Sequence, residues 1–147
     1  MKMTLTEKIE NFDYVETKMN VNDYFDNLKE LEWEQARLKV QKGLIANYDE
    51  ASEHDKQPYI AIGKDDFNLS AIAEKDEEIK NHLSGYYWAK SILTEQEQLY
   101  ITEYFVNGKY EDEVVGLLGF NNSDDRGFRK LKRRAIYKFA YVLNLVV

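Results

Sequence analysis

Between residues 126 and 142 the apolar side chains fit one backbone only. Phe128, Leu131, Ala135, Phe139 and Val142 recur at steps of three and four, so on a helix turning about 100° per residue they share a face. Seven cations lie among them or beside them: Arg126, Arg129, Lys130, Lys132, Arg133, Arg134 and Lys138. No acid occurs from 126 to the last residue, whereas the whole chain carries −7, which leaves −14 on residues 1–125. The spacing turns Arg126, Arg129, Lys130 and Arg133 away from the apolar face, and it sets Lys132 and Lys138 along that face's edges, where their stems can cover apolar surface. An acidic body with one basic helix suits a local polyanion site, and cations facing phosphates release counterions and bind in a salt-dependent way.

The rest of the chain is also written for helices. One proline and seven glycines stand in 147 residues, and Lys, Glu, Leu and Ala are frequent. An apolar fraction of 44% with 14% aromatics supports a packed core rather than disorder. The length allows one domain or two small ones. No window of about 18 apolar residues exists, so no membrane span is expected. The first ten residues lack a signal core, and there are no cysteines, which excludes disulfides, zinc fingers and thiol nucleophiles. The expected location is cytoplasmic.

Residues 1–20 give a weak signal, compatible with a short helix or a strand. A long helix is expected from a cap at Asn22 or Asp23 to about Tyr48, with Tyr24, Leu28, Leu31, Gln35 and Leu38 in one row. Phe25, Trp33, Ala36, Val40 and Leu44 widen its apolar surface, which suits a homodimer formed through the N-terminal helices. Residues 50–66 hold the only proline and read as a connector, with Tyr59-Ile60-Ala61-Ile62 a possible extended piece. A second pattern starts at Asn68 and uses Leu69, Ile72, Ile79, Leu83, Tyr86 or Tyr87, and Ile92. Its polar centre, E-K-D-E-E-I-K-N, suggests a break into two helices.

Residues 93–139 are the most specific part. Thr94 and Glu97 form a capping-box pattern that opens a helix containing Leu99, Ile101, Tyr104 and Phe105. Asn107-Gly108 is a turn signal. A short helix with Val114, Val115, Leu117 and Leu118 follows, and Gly119 can end it in the left-handed conformation. Ser123 is the candidate cap of the basic helix, with Asp124 and Asp125 in its first turn. Helix, turn, short helix, glycine turn and basic helix is the order of a helix-turn-helix, in which the last helix enters the major groove, about 12 Å wide. Phe128 and Leu131 are expected to pack on the helix that begins near Thr94.

Two stretches, Y-Y-W-A-K-S-I-L-T-E-Q-E-Q-L-Y-I-T-E-Y-F-V-N-G-K-Y-E-D-E-V and F-R-K-L-K-R-R-A-I-Y-K-F-A, resemble the ArpU family of small regulators from phages and prophages of Gram-positive bacteria. The C-terminal part is similar to region four of sigma factors. The resemblance covers roughly residues 86–140. It implies DNA-binding transcriptional control of late or lysis genes. It also assigns Arg129, Lys130, Lys132, Arg133 and Arg134 to a basic recognition helix and Phe128, Leu131, Ala135 and Ile136 to its packing positions. The turn F-N-N-S-D-D-R-G is longer than that family's usual one.

Enzyme chemistry finds little support. His54 and His82 lie in separate segments without metal-ligand spacing, and G-K-D-D at 63–66 lacks the pattern of a phosphate loop. The carboxylates of Glu74–Glu78 read as a solvated helix face. The eleven tyrosines are expected in helix contacts rather than as stacking platforms, with Tyr86-Tyr87-Trp88 the stretch to check. The expected protein is all-α, with a helical assembly region at 1–92 and a helix-turn-helix domain at 93–147, no catalytic or metal site and no cofactor. Its expected partner is double-stranded DNA, contacted by Asn121, Asn122, Ser123, Arg126, Arg129, Lys130, Lys132, Arg133 and Arg134. The alternative is a protein-interaction module whose basic helix docks on RNA polymerase or another regulator.

Overall fold

The computed structural model describes residues 2–50 and 69–147, with side chains for 2–40 and 73–147. The described residues are all-α: α1 (Leu5–Asn11), α2 (Tyr14–Glu50), α3 (Leu69–Ser91), α4 (Glu95–Ile101), α5 (Glu111–Leu117) and α6 (Arg126–Val142). A π-helical turn, Thr102–Val106, continues α4. The connector expected at 50–66, the extended piece at 59–62 and His54 lie outside the described residues, apart from Glu50 at the end of α2.

The chain divides into two compact units. One joins Met1–Asp26 to Leu83–Val147, and the other is Asn27–His82. The division expected at 92/93 therefore cuts through the first unit, because the start of the chain folds onto its last helix. In the second unit Lys75 Nζ lies 3.1 Å from a Glu34 carboxylate oxygen, and Gln35 Nε2 donates to Asp76.

Two helices differ from the expected boundaries. α2 begins at Tyr14, not beyond Asn22, and the Asp13 carboxylate accepts from the Glu16 amide at 3.0 Å as its cap. Thr17, Val21 and Phe25 are all buried at successive i+4 steps, so the apolar row simply starts earlier, disguised by a threonine. α3 is unbroken across its polar centre. Glu and Lys are strong helix formers, and of residues 74–81 only Ile79 is buried.

In the first unit the core is aromatic. The Phe25 ring stacks on Phe105 at 5.5 Å and on Phe139 at 5.4 Å. Tyr100 meets Phe128 edge-on at 6.0 Å, which seats α6 on α4 as its apolar stripe requires. The capping box at Thr94 is complete: the Thr94 amide donates to Glu97 Oε1 at 2.9 Å, and the Glu97 amide donates to Thr94 Oγ1 at 3.2 Å. Gly108 (φ 68°) and Gly119 (φ 83°) hold left-handed turns that other residues resist, whereas Asn107 stays right-handed. Beyond α6, Asn144 turns left-handed (φ 58°) and the tail returns to α2. There the Asn20 side chain donates to the Leu145 carbonyl at 3.1 Å, and the Val147 amide donates to Thr17 Oγ1 at 3.0 Å.

Candidate nucleic-acid interface

The approach to α6 is fixed by its own polar groups. Asn122 Oδ1 accepts the Asp124 amide at 2.9 Å, closing a local turn. Asp125, not Ser123, caps the helix, its carboxylate accepting the Gly127 amide at 2.8 Å. The long turn is pinned at its start by Phe120, which packs on Phe128 at 5.8 Å and crowds position 127: a Cβ there would sit 3.0 Å from the Phe120 ring, which would have to shift by a few tenths of an ångström. Asn121 is exposed, Ser123 is half-buried, and Asn122 is exposed but already bonded through its oxygen.

The seven cations separate into two groups. Three are tied to the fold. Lys132 Nζ lies 2.8 Å from a Glu111 oxygen and over the Phe128 ring at 5.5 Å. Lys138 Nζ lies 2.9 Å from Glu97, a carboxylate only 1% exposed. Arg133 departs from expectation. Its Nη2 donates to the Ile9 carbonyl at 2.9 Å and the Glu10 carbonyl at 3.2 Å, and its guanidinium lies over the Phe12 ring at 4.8 Å.

That geometry has a clear cause. On a helical projection Arg133 and Tyr137 lie almost opposite the stripe of Phe128, Leu131 and Ala135. Tyr137 is nevertheless buried, with Phe12 edge-on to its ring at 5.2 Å. α1 and the residues after it cover the second half of that outer face. From Ala135 to Ala140 only Lys138 escapes full burial. The expectation of one anchored and one free face holds for the first turns of α6 alone.

The second group is what remains outside. Arg126, Arg129 and Lys130 are exposed and have no ion pair among the described residues. Arg134, half-exposed, stands 3.7 Å from Glu97. Arg126, Lys130 and Arg134 follow one another at i+4, so they form a single row with Arg129 beside it. A groove of about 240 Å³ borders this row, lined by Thr6, Ile9, Glu10, Lys130, Arg133 and Arg134.

No protein-family model, curated protein or solved structure matches this chain. No helix among the described residues is long and apolar enough to cross a membrane. Of the nine residues expected to contact DNA, the structure keeps Asn121, Arg126, Arg129, Lys130 and Arg134 outward, leaves Ser123 half-buried, and engages Asn122, Lys132 and Arg133 within the fold. Sequence reasoning missed Ile9, Glu10 and Phe12 beside them. Their early signal is weak: Ile9 and Phe12 are the apolar residues of the polar run 6–13. Tyr86 packs against Phe25 at 5.9 Å, while Tyr87 and Trp88 are exposed.

Proposed function

We propose that this protein binds duplex DNA with the first turns of α6 and regulates transcription. α4, α5 and α6 act in this reading as a helix-turn-helix, with α6 as the recognition helix. The observation that carries it is the row Arg126, Lys130 and Arg134 with Arg129: four exposed cations at the N-terminal half of one helix whose apolar face is buried from Phe128 to Phe139. A recognition helix presents that same half to base edges, and arginine is the residue that most often reads guanine there. The resemblance of residues 86–140 to ArpU regulators supports a phage or prophage setting and late or lysis genes as targets, in the cytoplasm.

Fluorescence anisotropy with promoter duplexes tests this reading. Arg129→Ala combined with Lys130→Ala is expected to weaken binding at least tenfold, about 1.4 kcal/mol, and to lower the salt slope by about one to two counterions. Both side chains are exposed and have no ion pair among the described residues, so the fold should not change. Arg133→Ala would not serve, because it also releases α1. Unchanged affinity and slope would remove this face from the interface. Binding to RNA polymerase without any binding to duplex would favour the protein-docking alternative.

A further inference from the structure

α1 brings negative charge to a basic helix. It is seven residues long, too short to persist alone in water, and few contacts hold it. Ile9 is its one buried residue, while Leu5, Glu7, Lys8 and Glu10 are exposed. Its last carbonyls, the negative end of the helix dipole, are those that the Arg133 guanidinium grips. Glu10 also lines the groove shared by Lys130 and Arg134. Carbonyl and phosphate oxygens both accept from guanidinium N–H groups, and a phosphate can take two of them in parallel. The Nε and Nη2 donors of Arg133 can hold the end of α1 or a phosphodiester, but not both at once.

We propose that α1 is a displaceable arm that competes with DNA phosphate for Arg133 and its neighbours, and so restrains binding until a duplex takes its place. This inference rests on the duplex-binding reading. In the bound state Arg133 joins Lys130 and Arg134 on one phosphate backbone, and α1 swings free. Linkage makes the competition reciprocal: whatever frees α1 strengthens DNA binding, and DNA frees α1.

The test uses the full chain and a short duplex of scrambled sequence. Ile9→Ser removes the buried anchor of α1 without adding charge. It is expected to bind about fivefold tighter at physiological salt with the wild-type salt slope, because the two complexes make the same phosphate contacts and differ only in the α1 that the wild type must first displace. Glu10→Gln, which leaves α1 docked, should tighten binding by a smaller factor. In the wild type, saturating duplex should speed tryptic cleavage after Lys8. If the wild type binds and Ile9→Ser binds no more tightly, α1 is a fixed brace and the proposal fails. Should Ile9→Ser not fold, unchanged affinity in Glu10→Gln together with unchanged cleavage at Lys8 overturns it equally. If no form binds any duplex, the functional reading itself is lost and the arm with it.

Discussion

Glu97 is almost wholly enclosed, yet three groups depend on its charge. It completes the cap of α4 through the Thr94 amide, takes Lys138 at 2.9 Å and lies 3.7 Å from Arg134. Removing one member of such a cluster strands the others, so Glu97→Ala should cost about 3 kcal/mol in urea unfolding. Glu97→Gln should cost less, because an amide oxygen can still accept from Thr94. Equal stability of Glu97→Ala and wild type would show the cluster to be ornamental. A second buried pair behaves differently. The Tyr14 and Tyr100 hydroxyls lie near one another without a hydrogen bond of normal geometry. Burial, reinforced for Tyr14 by Glu111 and for Tyr100 by Tyr14, pushes both phenols above the ordinary range, and burial raises Tyr24 to about 12. An unfolded tyrosine ionises near pH 10. The unfolded chain thus loses these protons first, and stability that is fully present below pH 10 falls as pH climbs above it toward the folded values. Tyr100→Phe should leave stability at neutral pH unchanged or higher, since no bonded hydroxyl is lost, and should flatten the alkaline decline. A marked loss at pH 7 would mean that the hydroxyl is bonded after all.

Among the elements, α6 decides the most. Leu131 is 2% exposed in the core, so Leu131→Ala should cost roughly 2–5 kcal/mol; an unchanged melting curve would mean that α6 is not docked. The stripe that predicts this was legible because it is local: three- and four-residue steps need no knowledge of the partner. The Thr94 capping box and the Gly119 turn were legible for the same reason, each being complete within a few residues. The covering of Arg133 and Tyr137 was not. The acceptors that hold Arg133 are backbone carbonyls of Ile9 and Glu10, which every residue possesses and no sequence pattern marks. The cap of α6 was misplaced for a related reason. Ser123 and Asp125 are both good caps, and what selects Asp125 is the Asn122 turn and the packing of Phe120 on Gly127. The polar centre of α3 was overread, since a solvated face and a helix break share one composition.

At the scale of the whole molecule, the described part of α2 leaves Trp33 72% and Val40 64% exposed. Large apolar side chains in that position favour a second copy, and under the proposed duplex-binding reading two copies would fit two half-sites about one turn apart. Light scattering at micromolar concentration is expected to give the mass of two chains, and Trp33→Ala should shift it toward one. A single-chain mass for the wild type, with and without DNA, would end the dimer. The pairing of the first 26 residues with the last 65 has a further consequence, for how the protein comes into being. Ile9 meets Arg133 across 124 positions, and Thr17 waits for Val147. At about 5–20 residues per second, a ribosome needs roughly 6–25 s to bridge the first of those gaps. Phe25 lacks the rings it packs on until Tyr86 and Phe105 are made, and Thr17 lacks its bond to Val147 for the whole of that time. The nascent chain therefore passes through a stage in which its oldest helices are its least protected, open to chaperones or to neighbouring chains on the same messenger.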